Sequence, residues 1–193
     1  MVNVRYLRTL ARTYATQGNG RRALAELAAK VGVMAKQSIF AAQRGEVASA
    51  RRQLKEAENI IKQGQRVFRQ VEELGTVGSW RAALEEYAEA SLFVGYLEHG
   101  KVGQITGVAV SVETYLGGLS DFVGELARYA IKLATARRAA EVDRLVEVGT
   151  VIVGELAAMN LTGSLRSKFD QAKQHLRKLE DIRYDLSLRS DAR

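Results

Sequence analysis

The 193-residue chain contains no proline, although average composition would give a chain of this length about ten. Proline lacks a backbone N–H and clashes with the preceding turn of a helix, whereas tight turns and extended linkers use it freely. Its absence therefore argues against a turn-rich β domain and against a proline-rich linker. The sequence predicts an all-α fold.

Apolar residues recur at three- and four-residue spacing along most of the chain, which is typical of helices with one buried face. This spacing holds from Val4 to Tyr14 and again from Leu24 to Ile39, and the segment 17–20 (QGNG) between them predicts a break or kink. Gly45 is the expected end of this region. Further helices are predicted over residues 46–74, 80–99, 112–136, 139–159 and 165–188.

The connections between these helices are rich in glycine and polar residues. Ser79 is predicted to cap the helix that follows it, and the only weak strand signal covers residues 108–112. The whole chain, residues 1–193, is predicted to form a single-domain bundle of about seven helices. Basic helices occupy residues 1–74, carboxylate-bearing helices occupy 80–136, and C-terminal helices occupy 139–189.

The segment 46–74 has the most regular pattern of apolar residues. Two rows, each with a seven-residue repeat, form an a/d seam over four heptads. The rows are Val47, Leu54, Ile61 and Phe68, and Ala50, Ala57, Gly64 and Val71. We expect this helix to bury the seam against a neighbouring helix. Six cations lie off the seam: Arg51, Arg52, Lys55, Lys62, Arg66 and Arg69.

Positive charge is concentrated in the first third of the chain. Residues 1–69 carry 14 Lys and Arg against 4 Asp and Glu, a net +10, whereas residues 70–193 carry 15 against 18, a net −3. An excess of this size is typical of proteins that bind nucleic acid or an anionic surface. We therefore predict that the six off-seam cations guide a phosphate backbone. The alternative is that they form an ordinary solvated helix face.

Two pairs of carboxylates share helix faces with apolar residues. Glu86 and Glu89 are three residues apart, and Asp121 and Glu125 are four apart, so each pair lies on one face of its helix. Like charges at these spacings repel unless a cation lies between them. Four oxygen ligands suit Mg²⁺ or Mn²⁺ and could support phosphoryl chemistry. The alternative is that both pairs are solvated surface residues.

Several other classes of protein are excluded by what the sequence lacks. Without cysteine there is no disulfide framework, zinc knuckle, iron–sulfur site or thiol nucleophile. No P-loop, Gly-x-Ser-x-Gly or Rossmann fingerprint is present. The N-terminus does not resemble a secretory signal, and the most apolar stretches, 102–112 and 146–159, are too short or contain acidic residues. We expect an intracellular, cytoplasmic protein.

Three stretches of the sequence resemble the translin family. Residues 80–90 (WRAALEEYAEA) are similar to the family's EYVEA helix, and residues 178–189 (KLEDIRYDLSLR) to its C-terminal KVExxxYDLxxRG pattern. The longest and most specific match is 115–128 (YLGGLSDFVGELAR), which follows the pattern YLxGxxDLxGELxR. Arg44-Gly45 also fits the family's Arg-Gly-Asp-like break, although Glu46 replaces the Asp. Within the family, the sequence resembles the translin-associated factor X (Trax) branch.

The resemblance implies an all-α fold of about seven helices that assembles into a hollow, roughly octameric homo-oligomer with RNA inside. Trax-type subunits are Mg²⁺-dependent endoribonucleases, and their catalytic, metal-binding carboxylates match Glu86, Glu89, Asp121 and Glu125. The resemblance therefore implies cleavage of single-stranded RNA with Mg²⁺ or Mn²⁺ as cofactor. These are the same four residues that helical spacing singles out.

Two other functions remain open at this point. A translin-type subunit would bind RNA or single-stranded DNA without cutting it. An all-α nucleoside triphosphate pyrophosphatase would use a Glu-Glu-x-x-Glu helix, which residues 85–89 match, but Asp121 and Glu125 have the wrong order and spacing for its second motif.

Overall fold

The computed structural model describes residues 2–70 and 78–190. They form six α-helices: α1 (Val4–Gln43), α2 (Val47–Gln70), α3 (Gly78–His99), α4 (Val112–Thr135), α5 (Ala139–Ala158) and α6 (Gly163–Ser190). The predicted all-α fold is confirmed. None of these helices combines the length and apolar character needed to cross a membrane.

The predicted break at residues 17–20 is wrong, because α1 continues through this segment to Gln43. Each of the two glycines costs about 1 kcal/mol of helix stability relative to alanine, but neither blocks helical backbone angles as proline would. The expected stop at Gly45 is confirmed, since Gly45 has a φ of +90°. The bundle therefore has one long first helix where two were expected.

Two other boundary predictions are corrected by the structure. Ser79 lies inside α3, which begins at Gly78, so it is not the residue before the helix. Residues 108–111 form no strand, and Ser111 instead caps α4 by accepting a hydrogen bond from the Thr114 N–H at 3.1 Å. The predicted helix end at 71–74 and the loop residues 75–77 lie outside the described residues.

The described helices share one apolar core. The α2 seam contributes to it, since Ala50, Leu54, Ala57 and Ile61 are buried, whereas Phe68 near the end of the helix is 37% exposed. α1 packs against α2 and α3, α3 packs against α4, and α4 packs against both α5 and α6. This order places α1, α3, α4 and α6 around the carboxylates.

The backbones of α3 and α4 approach each other closely at Gly118. A Cβ atom built on Gly118 would lie 2.6 Å from the Ala88 Cβ, 2.8 Å from the Glu89 N and 2.9 Å from the Glu85 O. Real side chains do not tolerate such distances, and the last two atoms belong to backbone that cannot move alone. Glycine at this position therefore fixes the spacing of the two helices that carry the carboxylates.

We expect Gly118→Ala to destabilise the fold by about 1–3 kcal/mol, because the methyl group must push α3 and α4 apart. Gly18→Ala is the matched control, since no atom lies within 4 Å of its added Cβ and the change should stabilise the helix by up to about 1 kcal/mol. Urea unfolding of both variants measures the difference. Equal stabilities would contradict the close contact.

Candidate active site

Three of the four predicted carboxylates lie in one cleft between α1, α3 and α4. The cleft has a volume of about 550 Å³. Its lining consists of Lys36, Gln37, Ile39, Phe40, Glu86, Glu89, Glu125 and Arg128. Asp121 lies one turn before Glu125 on α4 and is close enough to Glu89 to raise its pKa. The structure therefore brings together the two pairs that helical spacing predicted.

The local sequence explains this arrangement. The spacing of three on α3 and of four on α4 points each pair to one side of its helix. The contact between Gly118 and the α3 backbone then sets the two helices side by side near Glu89. Glu86 also approaches α1, since its Oε2 lies 3.1 Å from the Cβ position of Gly32. Small residues thus let three helices converge on the carboxylates.

Three of the four carboxylates have a hydrogen-bonding or cationic partner. The Lys36 Nζ lies 3.1 Å from the Glu86 Oε1. The Gln43 Nε2 donates to the Glu125 Oε2 at 2.7 Å. Asp121 pairs with Lys168, which reaches the site from α6. These contacts offset part of the repulsion among the acids.

Further cations lie around the same groups. The Arg128 Nη1 is 3.8 Å from the Glu125 Oε1. The Lys168 Nζ is also 3.5 Å from the Glu85 Oε2, and Glu85 in turn lies 3.6 Å from the Arg81 Nε. The acidic cleft is therefore bordered by positive charge from α1, α3, α4 and α6.

Glu89 differs from the other three carboxylates. Burial, followed by the charges of Asp121 and Glu125, raises its pKa from 4.5 to about 8, and Lys168 offsets only part of this effect. Among the contacts of residues 2–70 and 78–190, its carboxyl group takes part in no hydrogen bond or ion pair. At neutral pH this carboxyl group is therefore mostly protonated, and among these contacts it is the one of the four without a partner to stabilise its ionised form.

The donor chemistry of this cluster fits a hard cation such as Mg²⁺. Within the described part of the chain, no three His, Cys, Asp or Glu side chains form a group that could hold a metal ion. Mg²⁺ does not need such a group, because in proteins it commonly binds one or two carboxylates and keeps several water ligands. The uncompensated Glu89 and its acidic neighbours are suited to that mode of binding.

The sequence patterns did not predict the side chains that contact the carboxylates, which are Lys36, Gln43, Arg128 and Lys168. Gln43 and Lys168 are separated from their carboxylate partners by 82 and 47 residues along the chain. No local spacing signals such pairs, because they form only when α1 and α6 pack against α4. Arg128 was within reach of sequence reasoning, since it lies three residues after Glu125 on the same helix.

The six cations predicted to guide a phosphate backbone all lie on α2. Arg51 pairs with Glu98, and the Lys55 Nζ lies 2.8 Å from the Glu58 Oε2. None of the ion pairs described for residues 2–70 and 78–190 involves the remaining cations, which are Arg52, Lys62, Arg66 and Arg69.

These cations are not brought into the carboxylate cleft. Arg51 and Glu58 instead line a second cleft of about 480 Å³ with Tyr87 of α3. Tyr87 donates to the Glu58 Oε1 at 3.4 Å, and burial raises the pKa of Tyr87 to about 12. On α3, helical spacing places Tyr87 and Glu98 on the face opposite Glu86 and Glu89. The basic and acidic groups thus lie on different sides of α3.

The raised pKa of Glu89 predicts a pH-dependent stability. A carboxyl group whose folded-state pKa exceeds its unfolded value of 4.5 stabilises the fold while it is protonated. This contribution is present below about pH 4.5 and is lost as the pH rises through about 8. We expect the unfolding free energy of the parent to fall between pH 5 and 9, and Glu89→Gln to remove part of that fall.

Denaturant titrations at several pH values measure this effect. Glu113→Gln, an exposed position on α4, is the control and should keep the parent's pH profile. An unchanged profile in Glu89→Gln would show that Glu89 is ionised at neutral pH in the folded protein.

Comparison with known proteins identifies the family of the chain. The curated relatives include translin from Gallus gallus, which is 32% identical over 129 residues, covering 57% of this chain and 55% of that protein. Translin from Homo sapiens is 31% identical over the same length and the same shares of both chains. The chain thus spans about half the length of the curated relatives it matches.

Two solved structures have the same fold along almost the whole chain. The apo-NeC3PO structure has a TM-score of 0.86 at 18% identity and covers 96% of this chain and 98% of its own. The complex of AfC3PO with duplex RNA has a TM-score of 0.86 at 21% identity, with 95% and 97% covered. The family model described as "Translin family" matches residues 20–190. The chain therefore belongs to the translin family.

Proposed function

We propose that the chain is a Trax-type, metal-dependent endoribonuclease that cuts single-stranded RNA, with the carboxylate cleft as its active site. The observation that carries this proposal is the cluster of four carboxylates that includes Glu89, whose pKa is raised to about 8 by burial and by its acidic neighbours. Clusters of acids with strongly raised pKa values in a cleft are typical of catalytic sites. The proposal includes an octamer-like homo-oligomeric shell, which rests on the resemblance to the family.

An acidic cleft in a protein that only binds a polyanion would weaken binding, because carboxylates repel phosphates. The net charge of +10 in residues 1–69 attracts nucleic acid without any help from these acids. The structure of a relative in fold that is described as a duplex RNA complex supports RNA as the ligand class. Metal-dependent cleavage of the phosphodiester would give the four carboxylates a function that RNA binding alone does not give them.

Glu86, Glu89, Asp121 and Glu125 would hold Mg²⁺ or Mn²⁺, one or two of them directly and the others through water. Such an ion, when bound, lowers the pKa of a water ligand and stabilises negative charge on a phosphodiester. Either effect promotes hydrolysis of RNA.

The chain's own residues contribute binding and proton transfer. Lys36 and Arg128 line the cleft, and their side chains are 72% and 62% exposed. They can therefore reach phosphate oxygens while remaining next to the acids. Where its neighbours hold the ion directly, Glu89, whose pKa is about 8, is the group suited to accept or release a proton. Gln43 and Lys168 hold Glu125 and Asp121 in place.

One observation favours a non-catalytic RNA- or single-stranded-DNA-binding subunit as the second candidate. Lys36 and Lys168 already neutralise part of the charge on Glu86 and Asp121, so the fold tolerates the acids without a metal. This candidate predicts salt-dependent binding of nucleic acid with no cleavage in the presence of metal.

Asp121→Asn should lower Mn²⁺- or Mg²⁺-dependent cleavage of a labelled single-stranded RNA at least 100-fold, because it removes one acidic group from the site. RNA binding should stay within about threefold of the parent, because the substitution adds no clash. Glu113→Gln is the control carboxylate on the same helix and should cut like the parent. Gel assays of cleavage and filter binding give the two values.

Three results would contradict the proposal. If the parent binds RNA but shows no metal-dependent cleavage, the binding-only candidate is supported. If Asp121→Asn cuts as fast as the parent, the nuclease site lies elsewhere in the molecule. A parent that hydrolyses nucleoside triphosphates but not RNA would instead indicate the pyrophosphatase.

The unpaired cations of α2 make a separate prediction. We expect the double variant Arg52→Ala/Arg66→Ala to weaken RNA binding uniformly across sequences and to reduce the slope of log K against log salt by about 2, since each phosphate contact accounts for about one unit. Arg44→Ala is the control, because Arg44 is exposed at the end of α1 and pairs with Glu46. An unchanged slope would exclude α2 from the RNA path.

A further inference from the structure

An exposed aromatic ring borders the carboxylate cleft. Phe40 of α1 is 55% exposed, and within residues 2–70 and 78–190 it is the one aromatic residue in the lining of this cleft. A single exposed apolar side chain on a protein surface is common and needs no explanation. The position of Phe40 is unusual because most of the other lining residues are charged. The ring therefore lies among groups that are suited to bind RNA and a cation.

A neighbouring cation holds the ring of Phe40 in place. The Arg44 Cζ, one turn further along the chain, lies 4.5 Å from the centre of the ring, within the range of a cation–π contact. Arg44 is itself paired with Glu46, since its Nη2 lies 2.7 Å from the Glu46 Oε2. Its charge is therefore already neutralised, and its contribution to the cleft is to fix the orientation of the ring.

Two exposed cations border the same cleft. Lys36 lies four residues before Phe40, which is about one helical turn or 5.4 Å along α1, and Arg128 reaches the cleft from α4. Their side chains are 72% and 62% exposed. One helical turn is comparable to the distance between the base and the phosphate of one nucleotide. A nucleotide whose phosphate contacts Lys36 can therefore place its base against Phe40.

We propose that Phe40 stacks on an unpaired base of the RNA in the carboxylate cleft. Every base has an aromatic face, so this contact holds the strand without selecting a sequence. A base inside a duplex is stacked on both sides, so the contact favours single-stranded over double-stranded RNA. This inference rests on the proposed use of the cleft as the RNA site, and it names the residue that selects a single-stranded substrate.

The charges around Phe40 favour RNA over a second copy of the chain as its partner. A protein surface that covered the ring would also cover the cations and carboxylates beside it, whereas the centres of protein interfaces are depleted of charged residues. A nucleotide covers the ring with its base and places its phosphate next to Lys36 and Arg128. The carboxylates then remain open to a metal ion.

Binding of a labelled oligo(U) RNA, whose bases stack little on one another, tests the contact. Phe40→Ala should bind it at least fivefold more weakly than the parent, because base–aromatic stacking is lost. Phe40→Trp should bind at least as tightly as the parent. Phe40→Leu keeps an apolar side chain without an aromatic face and should resemble Phe40→Ala. Fluorescence anisotropy in EDTA gives the dissociation constants without metal-dependent cleavage of the probe.

Two matched probes separate stacking from charge. An oligomer of abasic ribose phosphates keeps the phosphates but lacks the bases, and a perfect RNA duplex holds its bases inside the helix. The parent and Phe40→Ala should bind each of these probes with equal affinity. The salt dependence of oligo(U) binding should also be the same for both proteins, since the substitution removes no phosphate contact.

Tryptophan fluorescence reports on stacking directly. Trp80 is the one tryptophan of the chain and is only 5% exposed, so it should give a constant background. In Phe40→Trp, a base stacked on the indole should quench the emission when oligo(U) is added. The control is Val33→Trp, a 54% exposed position two turns earlier on the same face of α1 and outside the cleft lining. Its emission should change much less.

Several outcomes would overturn the stacking contact. Phe40→Ala or Phe40→Leu could bind oligo(U) as tightly as the parent, or Phe40→Trp could be quenched no more than Val33→Trp. An equal loss of affinity for the abasic probe would assign the effect to something other than a base. A smaller oligomer in Phe40→Ala, measured by light scattering, would show that the ring packs against a second copy. Circular dichroism verifies that each variant is folded.

Failure of this inference and failure of the nuclease proposal give different results. Stacking is measured by binding in EDTA, whereas the nuclease proposal is measured by metal-dependent cleavage and its loss in Asp121→Asn. If the parent cuts RNA, Asp121→Asn does not, and Phe40→Ala binds normally, only the stacking contact is wrong. If binding depends on Phe40 but no metal supports cleavage, only the nuclease proposal is wrong. A parent that binds no single-stranded RNA would contradict both.

Discussion

The close contact between α3 and α4 at Gly118 is the constraint on which the carboxylate cleft depends. Without a Cβ at this position, the α4 backbone lies against the Glu89 N and the Glu85 O. Burial, together with the charges of Asp121 and Glu125 that this contact brings near, raises the pKa of Glu89 to about 8. Any larger residue at 118 would separate the helices and weaken this electrostatic coupling, so one glycine links the packing of the bundle to the chemistry of the cleft.

The fold tolerates this concentration of acids because cations reach it from other helices. Lys36 comes from α1 and Lys168 from α6, and each contacts one of the two carboxylate pairs. Glu89, a member of the first pair, has no such contact within residues 2–70 and 78–190. The compensation is therefore sufficient for folding but incomplete at the centre, which is the condition under which a site still gains free energy from binding an additional cation.

The sequence predicted the helices and the four carboxylates because both depend on local spacing. Glu86 and Glu89, and Asp121 and Glu125, share faces for reasons that operate within one helix. The continuity of α1 could not be predicted, since two glycines weaken a helix without ending it and the packing of its later turns decides the outcome. The contact of Lys168 with Asp121 was also beyond reach, because it requires the packing of α6 on α4.

The placement of the α2 cations illustrates a further limit of prediction from sequence. Spacing within one helix does not give the position of a charge relative to the charges on other helices. Sequence assigns Arg51 and Glu86 to separate helices, but only the packing of α3 decides that they lie on opposite sides of it. Packing also decides how deeply each group of acids is buried, which differs between the carboxylates of the cleft and the acids of α5. Glu125 and Asp121 have side chains only 15% and 26% exposed, so their repulsion acts through protein and favours a bound cation. The acids on the outward face of α5 are exposed and screened by salt, so their mutual repulsion is weak. Burial, rather than the number of carboxylates, therefore distinguishes the acids of the cleft from an ordinary solvated acidic face in this chain.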